Sequence, residues 1–262
     1  IAAAALGATA HAQTLRFASQ GDPQTMDPHS QNESFTNSVN QQVYEYLVGR
    51  DKQTTIVPGL ATSWEQLSPL KWRFKLRQGV KFHDGSTFNA DDVVYSINRA
   101  KEPTSQIAVY GNAVGTPKKI DDYTVEFEMT KVNPIFLEHI APLFIMDKEW
   151  SEKNKVTKPQ DFKNKEETFT VLNANGTGPF MLVKREPGIK TTWKRNPGYW
   201  GKIEGNVQEV VFTPISNDAT RSAALISGEL DFILDPPPRD VAKLRNTAGV
   251  TQTGAGSASG VI

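Results

Sequence analysis

At 262 residues the chain is long enough to bury a sizeable core, as one large domain or two smaller ones. Its 29 Lys and Arg balance 29 Asp and Glu, so no positive field draws it to nucleic acid or an anionic membrane surface. The absence of cysteine excludes disulfides, thiolate metal sites and thiol catalysis, a composition that fits many exported bacterial proteins.

Ile1 to Ala12 are small and apolar and end in Ala10-His11-Ala12. That A-x-A spacing suits a signal peptidase, making residues 1–12 a signal-peptide remnant and Gln13 the mature start; an Ala-rich first helix is the other reading. No later apolar run approaches the ~20 residues of a membrane span. Leu15 to Ser19 read as a strand that turns at Gly21-Asp22-Pro23. Phe35, Val39, Val43, Tyr46 and Leu47 recur at helical spacing, with Gly49 placed as a left-handed cap.

Leu70 to Leu76 alternates apolar and basic residues, and Tyr123 to Met129 alternates apolar and acidic ones. The two are expected as sheet neighbours, since cross-strand ion pairs favour pairing. Between them Asn89 is expected to cap a helix over Ala90 to Ala100, with Asp91 and Asp92 at its positive end. A polar connection over Glu149 to Glu167 precedes strands at Phe180 to Val183, Thr191 to Lys194 and Glu209 to Thr213. Asn217 or Asp218 then opens a helix that Gly228 closes before a strand over Leu230 to Leu234. Pro236 to Pro238 stop that strand, and Asp240 is placed to cap a last short helix. Val261-Ile262 lie in an apolar run with no stop signal, which reads as a cut.

The four histidines lie far apart, and no H-E-x-x-H, G-x-S-x-G, Walker A or G-x-G-x-x-G is present. His83 in Phe82-His83-Asp84-Gly85 reads as a turn residue, and Asp91-Asp92 as helix capping rather than metal ligation. With no His/Cys cluster, no metal or cofactor is called for, although nickel and haem stay open as solutes.

Several stretches, in order along the chain, resemble the family 5 extracellular solute-binding proteins, the peptide- and nickel-type ABC receptors. They are Thr25-Met26-Asp27-Pro28, Tyr44-Glu45-Tyr46-Leu47-Val48, Ala61-Thr62-Ser63-Trp64-Glu65 with Trp72 to Arg77, and Val80 to Gly85 with Ala90 to Val94. Gly176-Thr177-Gly178-Pro179-Phe180, Arg195 to Trp200, and Gly228-Glu229-Leu230-Asp231 complete the set. The resemblance implies an α/β, periplasmic-binding-protein-like lobe of the class II (cluster C) type, with a mixed sheet, an inserted α+β subdomain and the second lobe missing. It divides the chain into a ligand-site subdomain, 13–42 with 175–262, and an insert, 43–174. The whole receptor would close two lobes on a peptide or similar small solute in the periplasm, as a monomer without enzymatic activity, and deliver it to an inner-membrane ABC permease.

The resemblance places ligand contacts on loops after strands. Gln20 and Asp22 follow the first strand, Asp22 where an acid meets a peptide's amino group. Tyr110 would supply an aromatic wall, Asp235 the end of a strand, and Ser259 the hinge region. Gly85, Gly178 and Gly198 read as turn-formers, and Trp64, Trp72 and Trp200 as core. Two other classes remain: a secreted hydrolase or carbohydrate-active enzyme using Asp22 and Asp235 as paired acids, and a chaperone or signalling receptor on the same scaffold.

Overall fold

The structure is a computed structural model, and it describes residues 13–251. In chain order, β1 (Gln13–Ser19) leads through a buried loop to α1 (Ser34–Asn40), and β2 (Val48–Arg50) pairs with β3 (Ile56–Pro58) as a small ribbon. Next come β4 (Ala61–Ser68), β5 (Lys71–Leu76), α2 (Ala90–Ala100), α3 (Ala108–Ala113), β6 (Thr116–Asp121) and β7 (Thr124–Glu128). These four strands form one antiparallel sheet in the order β4-β5-β7-β6. After α4 (Phe136–Ile140) and α5 (Lys148–Lys153) the chain continues as β8 (Phe180–Glu186), β9 (Lys190–Arg195) and β10 (Val207–Pro214). Finally α6 (Asp218–Ile226), β11 (Phe232–Ile233) and α7 (Val241–Arg245) follow. The second sheet is mixed, in the order β11-β1-β10-β9-β8: β1 runs parallel to β10 and β11, and the other pairs are antiparallel.

The charge alternation of β5 and β7 produces the expected pairing, with Arg73 opposite Glu126 and Lys71 opposite Glu128. The Arg73 guanidinium reaches the Glu126 carboxylate at 2.6 Å and Lys71 reaches Glu128 at 2.8 Å. On the other face Phe74, Leu76, Val125 and Phe127 are buried with Val93 and Ile97 of α2. Asn89 caps α2 as expected: its side chain accepts from the Asp91 amide, and the Asp92 carboxylate accepts from the Asn89 amide at 2.9 Å. Asn89→Ala is expected to lower stability by about 1 kcal/mol, read as a shifted midpoint in a urea titration with an unchanged slope.

Five local expectations are corrected. The helix placed over Phe35 to Leu47 ends at Asn40, because the backbone beyond it bonds elsewhere: Gln42 and Val43 carbonyls accept from the Phe180 and Gly178 amides, and Tyr46 and Leu47 carbonyls from Leu60 and Ala61. Gly49 therefore lies in β2 opposite Val57 rather than in a left-handed cap. The connection after Glu149 begins inside α5, which Asp147 caps through the Trp150 amide. Asp240 stands at the N-cap of α7, but its carboxylate accepts from the Ser222 hydroxyl at 2.9 Å instead of from the helix. The strand expected over Leu230 to Leu234 shortens to Phe232–Ile233, while β4 and β6 lacked an alternation strong enough to find them.

The core beneath the mixed sheet joins parts distant in sequence. Phe17 of β1 and Phe212 of β10 pack with Val43, Tyr44, Phe144 and Met146, so the segment assigned to the insert from residue 43 contributes side chains to this sheet's core.

Candidate functional site

In an open sheet with parallel strands, the crevice beyond the strands' carboxyl ends is where ligands bind. Here β11, β1 and β10 end side by side. The Leu234 amide donates to the Ala18 carbonyl and the Ile215 amide to the Ser19 carbonyl, both at 2.9 Å, so the loops after all three strands emerge together. Gln20 is exposed at this edge. Asp235, also exposed, takes a positive φ of 51°, and its carboxylate accepts from the buried Ser19 hydroxyl at 3.3 Å. Ser19 thus bonds Asp235 while its chain neighbour Gln20 stays exposed.

Asp22 is placed differently. One oxygen accepts from Arg185 of β8 at 3.3 Å and from the Gly188 amide of the β8–β9 turn at 3.1 Å. The Arg185 side chain is buried and also donates to the Pro23 carbonyl. Asp22 therefore ties the loop after β1 to the β8–β9 hairpin, and neither of its oxygens bonds Asp235. Tyr110 lies on α3, half-buried against the core of the four-stranded sheet, with its ring centroid 6.3 Å from that of His139. None of its contacts is with Gln20, Asp22 or Asp235. Ser259 and residues 1–12 lie outside the described residues.

Arg221 went unremarked in the sequence. It stands on α6, 1 % exposed, and donates to the carbonyls of Ile215 and Asp235 at 2.7 and 3.0 Å and to the Asp218 carboxylate at 2.9 Å. The one available signal was an Asp-x-x-Arg step on a helix that crosses between two parallel strands.

The motifs that carry the resemblance converge away from this edge. The Glu45 carboxylate accepts from Thr177 Oγ1 at 2.7 Å, Trp200 Nε1 at 2.8 Å and Tyr199 Oη at 3.0 Å, and the Arg77 guanidinium lies 4.0 Å from the Trp200 ring centroid. Burial pushes the Glu45 carboxyl up despite these donors. Trp200 is accordingly half-buried, held by its indole N–H rather than sunk in the core. Gly85 is a turn-former with a φ of 93°. At Gly178 the reason for glycine is close approach, since a Cβ would lie 2.6 Å from the Gln42 carbonyl oxygen. His83 bonds across the molecule rather than to its neighbours: its amide donates to Gly176 and its ring Nε2 meets the Gly178 carbonyl, both at 2.9 Å.

The carboxylates of Asp92, Asp147 and Glu149 lie within 4.8 Å of one another. The two buried members have their oxygens occupied: Asp92 accepts from the Asn89 and Lys148 amides, and Asp147 from the Trp150 amide, Ser86 and Asn175. Burial, with these acidic neighbours, pushes the Asp92 carboxyl up to about 7. Asp92 and Asp147 serve as caps of α2 and α5.

A family model described as bacterial extracellular solute-binding proteins, family 5, matches residues 55–262. The chain is 30% identical to the dipeptide-binding protein of Escherichia coli over 95% of its own length and 50% of that protein's. It is 31% identical to haem-binding protein A of Haemophilus influenzae, covering 80% of this chain and 41% of that one. Among solved structures, the ABC transporter-associated periplasmic binding protein DppA of Helicobacter pylori, in complex with the peptide STSA, superposes with a TM-score of 0.78. It is 26% identical, and the match covers 90% of this chain and 49% of that one. The chain spans about half the length of the curated relatives it matches.

Proposed function

This chain belongs to the family 5 bacterial extracellular solute-binding proteins, and from that premise we propose that it forms one wall of a periplasmic receptor. The receptor captures di- or oligopeptides by closing two lobes and hands them to an ABC permease. The observation that carries the reading is the shared edge of β11, β1 and β10, where the Ser19 hydroxyl donates to the exposed Asp235 carboxylate and Gln20 is exposed at the end of β1. An exposed carboxylate there, already oriented by Ser19, is suited to charge-assisted hydrogen bonds with a peptide's ammonium group. Peptides are favoured over haem or nickel because relatives named as di- and tripeptide-binding proteins predominate among the strongest matches, and because among the described residues no histidine bonds to Ser19, Gln20 or Asp235. Residues 13–42 with 175–262 would form the ligand-site subdomain and 43–174 the insert. A signal peptide ending at Ala12 would take the protein to the periplasm, where it would act as a monomer.

Purified at its full natural length, the protein is expected to carry a peptide that native mass spectrometry identifies; haem or a nickel chelate in its place sinks the peptide reading. Residues 1–262 alone should bind the same peptide far more weakly in calorimetry, because closure draws contacts from both lobes at once. Equal affinity would refute a site shared between lobes, and turnover of the peptide would return the protein to the hydrolases.

A further inference from the structure

We propose that Arg221 is the positioning residue of this crevice, holding the Asp235 loop in its ligand-facing conformation; the inference rests on the receptor reading above. The segment after β11 runs Asp235-Pro236-Pro237-Pro238. Three prolines supply carbonyls but no N–H groups, so the loop is short of donors with which to fasten itself to the strand ends. Proline also steers the residue before it away from the right-handed helical region. Asp235 is in the left-handed region, φ 51°, which a non-glycine residue holds only where its surroundings over-determine it.

The determining contacts come from outside the loop. The Asp235 carbonyl receives a hydrogen bond from Arg221 Nη2 at 3.0 Å, while its carboxylate receives one from Ser19. Arg221 Nη1 holds the Ile215 carbonyl at 2.7 Å, and the Ile215 amide in turn holds Ser19. One planar guanidinium therefore spans the ends of β10 and β11 on either side of β1, with Asp218 fixing its orientation at 2.9 Å. Its side chain is 1 % exposed, so these bonds are made away from water and the donors it supplies have no solvent substitute. The crossover helix α6, besides joining two parallel strands, thus carries the group that sets the spacing of their loops. A lysine at this position has a point charge in place of the fork and cannot reproduce both carbonyl contacts in the same geometry.

The test uses the protein at its full natural length, with Arg221→Met and Arg221→Lys, read by amide hydrogen exchange and by calorimetric binding of the dipeptide L-Ala-L-Phe. At Ile215 and Leu234, whose amides close the strand ends, exchange should accelerate at least tenfold in Arg221→Met and less in Arg221→Lys, with β5 and β7 unchanged. The dissociation constant should rise at least tenfold in Arg221→Met, again with lysine intermediate. Unchanged exchange at Ile215 and Leu234 overturns the proposal, as does faster exchange with unaltered affinity. Equal loss of protection in β5 and β7 in both variants would make Arg221 a general core residue and overturn it too. If the unsubstituted protein fails to bind L-Ala-L-Phe, the choice of peptide is at fault, and the exchange measurement alone decides whether Arg221 positions the loops.

Discussion

Replacing Arg99 with methionine is expected to cost roughly 3–5 kcal/mol in a urea titration, because it strands a buried carboxylate. Arg99 and Asp27 are both 0 % exposed and pair at 2.6 Å. All five guanidinium N–H groups find acceptors: Val156 O from Nε, Asp27 Oδ1 and His29 Nδ1 from Nη1, Asp27 Oδ2 and Lys158 O from Nη2. Asp27 also accepts from the His29 and Gln160 amides and from Thr170. Burial by itself would raise the Asp27 carboxyl, but the Arg99 charge and hydrogen bonds prevail and hold it well below the usual carboxylate range. The methionine variant keeps the hydrophobic volume and loses the charge, so Asp27 is left unpaired where no water reaches it. A loss below about 1 kcal/mol would show that the pair is a neutral replacement for apolar packing rather than a point of weakness.

The same cluster predicts a pH dependence. His29 Nδ1 faces an Arg99 N–H, which only donates, and Nε2 faces the Phe144 carbonyl, which only accepts, so the ring is neutral with its proton on Nε2. Burial, then the Arg99 charge, lower it from 6.5 to about 4. A base whose folded value is depressed is protonated first in the unfolded chain. Its contribution is fully present above pH 6.5 and is lost as pH falls toward 4, by roughly 3 kcal/mol. Asp92 titrates in the same window with the opposite sign, its raised carboxyl weakening the fold as pH rises. The informative quantity is therefore a difference: between pH 6.5 and 4 the original protein should lose stability relative to His29→Gln, whose amide satisfies both partners without titrating. Parallel stability curves would rule this out.

Gly176→Ala should be as damaging, by roughly 3 kcal/mol or more. A Cβ at Gly176 would fall on the Val43 carbonyl oxygen and lie 3.1 Å from the Tyr44 Cα. Every one of these atoms is backbone, pinned by the bonds from Gly178 to Val43 and from Phe180 to Gln42, so no side chain can swing aside. The His83 amide also bonds the Gly176 carbonyl, at 2.9 Å. The expected readout is a lowered melting temperature for Gly176→Ala, with Gly188→Ala as reference, since a Cβ there meets nothing within 4 Å and only its φ of 73° opposes it. Equal effects at the two positions would mean that strain at a turn, and not this three-segment crossing, governs the loss.

Much of the architecture was legible because it depends on neighbours in sequence. The alternation that pairs β5 with β7, the Asn89 cap and the Gly228 helix end are decided within a few residues. The reading faltered where a segment had two local options. Phe35 to Leu47 has helical spacing, yet Gln42 and Val43 bond to residues 180 and 178, and those distant partners end the helix. The candidate site divided in the same way. Family resemblance led to Asp22, Asp235 and Gln20, but only the folded chain shows Asp22 bound to Arg185 and Asp235 held by Ser19 and Arg221.

The sequence by itself therefore determined the class of the protein, its strands and caps, and the motifs that place it among solute-binding proteins, since periodicity, capping and ordered motifs are local properties. Tertiary structure alone decided which charges are paired and which stay exposed at the strand ends. An aspartate reads the same at positions 22, 27 and 235, and its role is set by whether an arginine from 72 or 163 residues away comes within hydrogen-bonding distance.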